Sequence, residues 1–160
     1  MESALLALAG WLDNAGIRHW ASATPWVYPA ANVLHVLGVA MLVGAIGIVD
    51  LRVAGLWRAL PIEALSRALT PIAVAGFVVL VLSGFILFAA DGAALAVSAV
   101  FRLKLVMLAA AIINAATFRL VWQGRVDAGM VRPFAARVSA VLSLLLWLTV
   151  ATLGRLIAYT

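Results

Sequence analysis

From Pro71 to Ala90 the chain runs for twenty residues without a charged side chain. Three further stretches are nearly as apolar, at about Trp26–Val49, Phe101–Trp122 and Val138–Ile157. Each is close to the ~20 helical residues needed to cross a hydrocarbon layer of about 30 Å. Runs such as Val78-Val79-Leu80-Val81-Leu82 carry β propensity. An isolated strand in lipid would leave its backbone polar groups unpaired, whereas a helix satisfies them internally. The expected fold class is therefore all-α, a single four-transmembrane-helix bundle over residues 1–160.

Composition agrees. With 67% hydrophobic and 11% charged residues in 160, a soluble domain could not hide its apolar surface. The chain has no cysteine, which excludes disulfides, thiolate metal sites and iron–sulfur clusters. The net charge of +5 comes from loop arginines. That pattern suits membrane orientation and anionic headgroups, not nucleic acid.

The N-terminus does not read as a signal peptide. Glu2 stands where a basic region would be, and Asp13 and Asn14 interrupt the apolar run. Leu5, Leu8, Trp11 and Leu12 gather on one helical face, which predicts an interfacial amphipathic helix over about residues 3–20. His19, Trp20, Trp26 and Tyr28 form an aromatic belt where the chain enters the bilayer.

Arginine placement gives a direction. Arg52, Arg58, Arg67, Arg119, Arg125, Arg132 and Arg137 fall on one side, against Arg18, Arg102, Lys104 and Arg155 on the other. The positive-inside rule puts the first group in the cytoplasm and both termini in the periplasm of a bacterial inner membrane. Asp91-Gly92 then belongs to an outer loop. Pro71 and Pro133 are expected to open the second and fourth spans, since proline in a first turn loses no hydrogen bond.

Polar residues inside a bilayer are expensive, so they are the candidates for function. His35 lies about 13 Å along the first span at 1.5 Å per residue, with Asn32 one turn earlier. It suits a haem or metal ligand, a proton-handling group, or a neutral histidine bonded to a neighbouring helix. A bis-histidine haem would need His19 or a second subunit. Met41 and Met107 would complete a soft copper site with His35, although methionine more often fills gaps. Asn114, with Thr117 a turn away, lies near the centre of the third span, and Ser83-Gly84 at similar depth on the second. These residues, with Ser139, Ser143, Thr149 and Thr152, suit interhelical hydrogen bonds. Asp50 closes the first span, where its charge opposes the helix dipole. A structural ion pair with Arg52, Arg119 or Arg137 is expected. Ala40, Gly44, Gly47, Gly76 and Gly84 would let helices approach closely.

The stretches Asn32-Val33-Leu34-His35-Val36-Leu37-Gly38, Val43-Gly44, Asp50-Leu51-Arg52, Phe101-Arg102-Leu103-Lys104 and Ile113-Asn114-Ala115 together resemble a family of uncharacterised bacterial four-helix membrane proteins, a domain of unknown function. More distantly the pattern is similar to copper-resistance D-type membrane proteins. The resemblance covers nearly the whole chain. It implies that His35, Asp50, Arg52, Lys104 and Asn114 are the family's characteristic positions, and it implies no reaction. Such proteins are expected to carry a histidine after the phenylalanine of the Asn-Ala-x-x-Phe segment. Arg119 stands there instead, which removes a histidine pair between the first and third spans.

No nucleophile–base set, mid-depth carboxylate pair, HExxH or phosphate-cradling loop is present, so an enzyme is not expected. The leading expectation is a small protein that binds or transports a metal ion, haem or small solute around His35 with Asn32 and Asn114. The alternative is an accessory or anchoring subunit of a larger, respiratory-type membrane complex. A purely structural homo-oligomer is a third reading. The partners common to all are the lipid bilayer and further membrane subunits, and transport through four helices would call for a dimer or larger.

Overall fold

A computed structural model describes residues 1–122, 124 and 134–159. Expectations placed on Arg125, Arg132 and Pro133 lie outside them. The described chain is helical throughout: α1 (Glu2–Asn14), α2 (Ile17–Ala23), α3 (Val27–Ala54), α4 (Ile62–Val97), α5 (Ala99–Val121) and α6 (Phe134–Leu156), ending in a 3₁₀ turn, Ile157–Tyr159. The helices α3, α4, α5 and α6, the last with its 3₁₀ turn, are long and apolar enough to cross a membrane. The protein is a multi-pass, all-α membrane bundle.

The helix ends follow local chemistry. Pro61 precedes α4 with extended backbone, Glu63 occupies its first turn, and Arg67 bonds Glu63 one turn on at 2.5 Å. Helix α4 thus starts well before Pro71, which lies inside it on an exposed face. At the other end the expected outer loop at Asp91-Gly92 is helix. It is bent at Asp91, whose φ of −123° and ψ of 22° are not helical. The true corner is Ser98. It ends α4 and caps α5, its hydroxyl accepting from the Phe101 backbone N–H at 3.3 Å. Phe88 and Phe101 stack across this corner, centroids 5.8 Å apart.

Helices α1 and α2 meet at Gly16, whose φ of +74° suits glycine, and fold back against the outer part of α4. Leu12 and Ala21 are fully buried there against Phe88, Ala89 and Ala90. Glu2 pairs with Arg102 at 2.5 Å, tying the first turn of α1 to the start of α5. The other end of the bundle is closed by cations on carbonyls. Arg52 donates to the carbonyls of Leu60 (2.7 Å) and Arg58 (2.9 Å), Arg58 to Gly55 (3.2 Å), and Arg137 to Ala54 (3.1 Å). The Ala54 and Gly55 carbonyls close the C-terminus of α3, where positive charge is favoured, and the Arg52 bonds tie that end to the connection before α4.

Helix α3 is the hub. It packs tightly on α4 and well on α6, and α6 packs on α5. The α3–α4 seam is a backbone contact between Gly38 and Gly76. A Cβ on Gly76 would lie 2.8 Å from the Leu42 backbone nitrogen, and one on Gly38 would lie 3.0 Å from the Gly76 oxygen. Of the small residues expected at contacts, Gly76 is at the crossing, while Gly44 faces open space. Consecutive α4 and α5, by contrast, touch little. Only Ala111 of α5 is fully buried. The four helices therefore form an incomplete ring, open along one side of α5.

Candidate functional site

The open seam holds a cavity of about 470 Å³ in the half of the bundle nearest the α3–α4 connection. Helices α3 and α6 form its floor, α4 and α5 its walls. Exposed Val74 on α4 and exposed Ile112 and Ala116 on α5 line it, so its mouth faces outward between those two helices. In a bilayer that direction is lipid. Most of the wall is apolar, with Leu42, Ile46, Leu69, Phe77, Phe118 and Trp147 among the contributors. The polar lining is Asp50, Ser66, Thr70, Asn114, Arg119, Ser139 and Ser143.

Two of the buried polar groups here are unsatisfied. Asp50 is only 7% exposed, and its Oδ2 has no hydrogen-bond partner among the described residues. Trp147 is 4% exposed, and its indole Nε1–H likewise has none. Ser143, also buried, lines the cavity with Asp50. Ser143 and Trp147 are one helical turn apart, so α6 presents a hydroxyl and an indole on the same face. Buried polar groups are nearly always paired, and an unpaired one costs about 1–3 kcal/mol. An orphaned acceptor and an orphaned donor in one cavity lining mark a place built to be filled.

The expected ion pair from Asp50 to Arg52, Arg119 or Arg137 does not form among the described residues. The salt bridges there are Arg18–Asp13, Arg67–Glu63 and Arg102–Glu2. The reason is that Arg52 donates to carbonyls of the α3–α4 connection and Arg137 to that of Ala54 at the end of α3. Arg119 lines the cavity but is exposed on α5.

Asn114 and Ser139 bond reciprocally. The Asn114 amide donates to the Ser139 carbonyl at 3.1 Å, and the Ser139 hydroxyl donates to Asn114 Oδ1 at 2.9 Å. They lace α5 to α6 at the edge of the cavity, so Asn114 holds the wall in place with its own polar groups already used.

His35 is elsewhere. It is fifteen residues from Asp50 on α3, about 22 Å along the axis, and outside the cavity lining. Its Nδ1 lies 3.0 Å from Ser83 Oγ. The Ser83 hydroxyl donates to the Val79 carbonyl at 2.6 Å, so its oxygen is left to accept from His35 Nδ1–H. That assigns the proton to Nδ1. The ring sits against Gly84, where a Cβ would be 3.2 Å from Cε1. Asn32 is exposed and Asn114 is in the other half, so the three expected site residues do not converge. Met41 packs at Gly76 in the α3–α4 crossing. No group of three or more histidine, aspartate or glutamate side chains suited to a metal occurs among the described residues. Lys104 reaches α6, its Nζ 3.2 Å from a Cβ built on Gly154, near the helix end where carbonyls favour a cation.

Trp147 and Ser143 were the parts hardest to read from sequence. Ser143 is one of several serines on its span. Trp147 did carry a signal: tryptophans belong at membrane interfaces, and this one sits in mid-span.

The fold and cavity define a class: a four-span bundle, braced by an N-terminal helical pair, with a polar-floored cleft open to the bilayer. Within that class, residues 18–160 match the model of the family of unknown function DUF6644, and the chain belongs to that family. No curated protein and no solved structure matches it, so the distant likeness to copper-resistance proteins gains no support from either.

Proposed function

We propose that the protein binds a small, membrane-dissolved molecule in the cleft between α4 and α5. The observation that carries this reading is the pair of buried, unpartnered groups, Asp50 Oδ2 and Trp147 Nε1, in the lining of one 470 Å³ cavity. A molecule with an apolar body and a polar head would meet both parts of the lining. The head would take hydrogen bonds from Trp147 or give them to Asp50, and the body would lie along Leu42, Phe77 and Phe118. Entry from the side needs no aqueous path through the bundle.

The solute-binding role expected from the sequence is kept, with its centre moved from His35 to Asp50. A haem or copper role for His35 would have to be built from the unbonded Nε2 of a ring already held by Ser83, with ligands from a second subunit. The accessory-subunit reading draws on the same open seam, since a helix of another membrane protein would also cover it. We further infer an inner-membrane location with both termini periplasmic. The arginine-rich α3–α4 connection supports this, as does the placement of α1, the start of α5 and the end of α6 at the opposite end.

The test is to purify the protein in native lipid nanodiscs, extract it with organic solvent, and compare the extract with that of Ala115→Trp, which fills the cleft from α5. A compound other than bulk phospholipid, enriched in the wild type and lost in the variant, is the expected result. Identical extracts, with a folded variant, would defeat the proposal. A visible spectrum of the same sample reads out the haem alternative.

A further inference from the structure

Building on the binding reading above, we infer that the occupant of the cleft is an organic cation, a protonated amine or quaternary ammonium with apolar substituents, which takes the place of a proton on Asp50. Two observations point there independently. The first is charge. An ionised carboxylate buried away from water must be neutralised, either by a proton or by a cation. Asp50 has no salt-bridge partner among the described residues: Arg52 and Arg137 donate to carbonyls of the α3–α4 connection and of Ala54, and Arg119, which lines the same cavity, is exposed. The second is the wall. Phe77, Phe118 and Trp147 surround the same cavity. Aromatic faces carry negative quadrupole potential and hold ammonium groups that have lost their water. Aromatic walls around a carboxyl that forms no salt bridge among the described residues are complementary to a lipophilic cation. A neutral lipid would use the apolar surface and leave the charge of Asp50 unanswered.

The exchange conserves charge. The protonated carboxyl gives up one proton and the carboxylate accepts one monovalent cation, with no covalent step. The charged groups facing the site are few. Helix α3 contributes Asp50, with Arg52 half a turn beyond. Helix α4 contributes only the hydroxyls of Ser66 and Thr70, its Arg67 and Glu63 being exposed and paired with each other. Helix α6 contributes Ser139 and Ser143, with Arg137 turned to the end of α3. Helix α5 contributes Arg119, exposed and lining the cavity. Asp50 is the only carboxyl in the described lining, so one proton should be displaced per cation.

The experiment uses two probes of similar shape, methyltriphenylphosphonium (a cation) and triphenylphosphine oxide (neutral). Binding to the detergent-solubilised full chain is measured by calorimetry across pH, in buffers of different ionisation enthalpy. The expected result has three parts. The cation binds with release of about one proton at pH values where the carboxyl is protonated. Its affinity falls there by up to about tenfold per unit drop in pH, while that of the oxide stays flat. Asp50→Asn weakens the cation at least tenfold and keeps the oxide. Retained oxide binding shows that the variant is folded; if it is not, the wild-type pH dependence alone decides. Binding of the oxide without the cation, or of both without pH dependence or proton release, overturns the inference and leaves the cleft reading standing. Binding of neither probe overturns both.

Discussion

Helix α4 has two seams, and they are built oppositely. Against α3 it meets backbone to backbone at Gly38 and Gly76, and the polar pair within that seam is bonded across it, His35 Nδ1 to the Ser83 hydroxyl. Toward α5 it scarcely touches, and the polar groups beneath that seam, Asp50 and Trp147, are left with unpaired atoms. In lipid no hydrophobic force draws helices together, so close packing and hydrogen bonds decide which contacts form. The first seam has both. The second has neither, and holds a cavity instead. A polar residue in a membrane is thus better judged by what remains unpaired than by its chemical type. The histidine is the more suggestive residue, and the aspartate is the unsatisfied one.

The sharpest way to break the contrast is at the tight seam. Gly76→Leu forces a side chain into the Leu42 backbone, 2.8 Å from where its Cβ would sit. It should destabilise by about 3 kcal/mol or more. The folded fraction in a titration with sodium dodecyl sulfate checks this. The same titration should show little change for Gly44→Leu, whose Cβ meets nothing. Next in size is Asn114→Ala. It removes both bonds that lace α5 to α6 and should cost about 1–2 kcal/mol, while loosening the cleft wall. Ser83→Ala, which takes away the acceptor of His35, should cost about 0.6 kcal/mol. Smallest is Asp50→Asn. Since no ion pair is lost among the described residues and a neutral amide replaces a carboxyl that carries a proton in the empty cleft, stability should stay within about 0.5 kcal/mol. A large loss there would mean that Asp50 holds the bundle together, and the contrast between the seams would fail.

The four apolar runs were enough to give the number of spans and the all-α class, because length and hydropathy set spans directly. Helix ends were less legible. Pro71 reads as a first-turn proline, yet Pro61, Glu63 and Arg67 start the helix earlier. Asp91-Gly92 reads as a turn, yet the Ser98 cap is the corner. Part of the site was visible as well. Asp50 and Asn114 stand out as polar residues in apolar spans, and both line the cavity. Their partners were not visible, because which helices touch and which splay is a non-local property. Nothing in the sequence between Ala99 and Val121 announces that α5 leans on α6 and away from α4. For the same reason, an ion pair drawn from sequence proximity between Asp50 and Arg52 loses to carbonyls that only the folded connection brings near.

A seam between α4 and α5 that is open to the bilayer lets lipid reach as deep as Trp147. Replacing Trp11, Trp20, Trp26, Trp57 and Trp122 by Phe leaves Trp147 as the single tryptophan. Its fluorescence would be recorded in bilayers whose acyl chains carry bromine, a contact quencher, beside the same protein with Ala115→Phe across the cleft. Strong quenching of this 4% exposed indole, relieved by Ala115→Phe, is the predicted result. Trp147 fluorescence equally untouched by bromine in both proteins would show that the seam is sealed and that lipid does not enter the cleft.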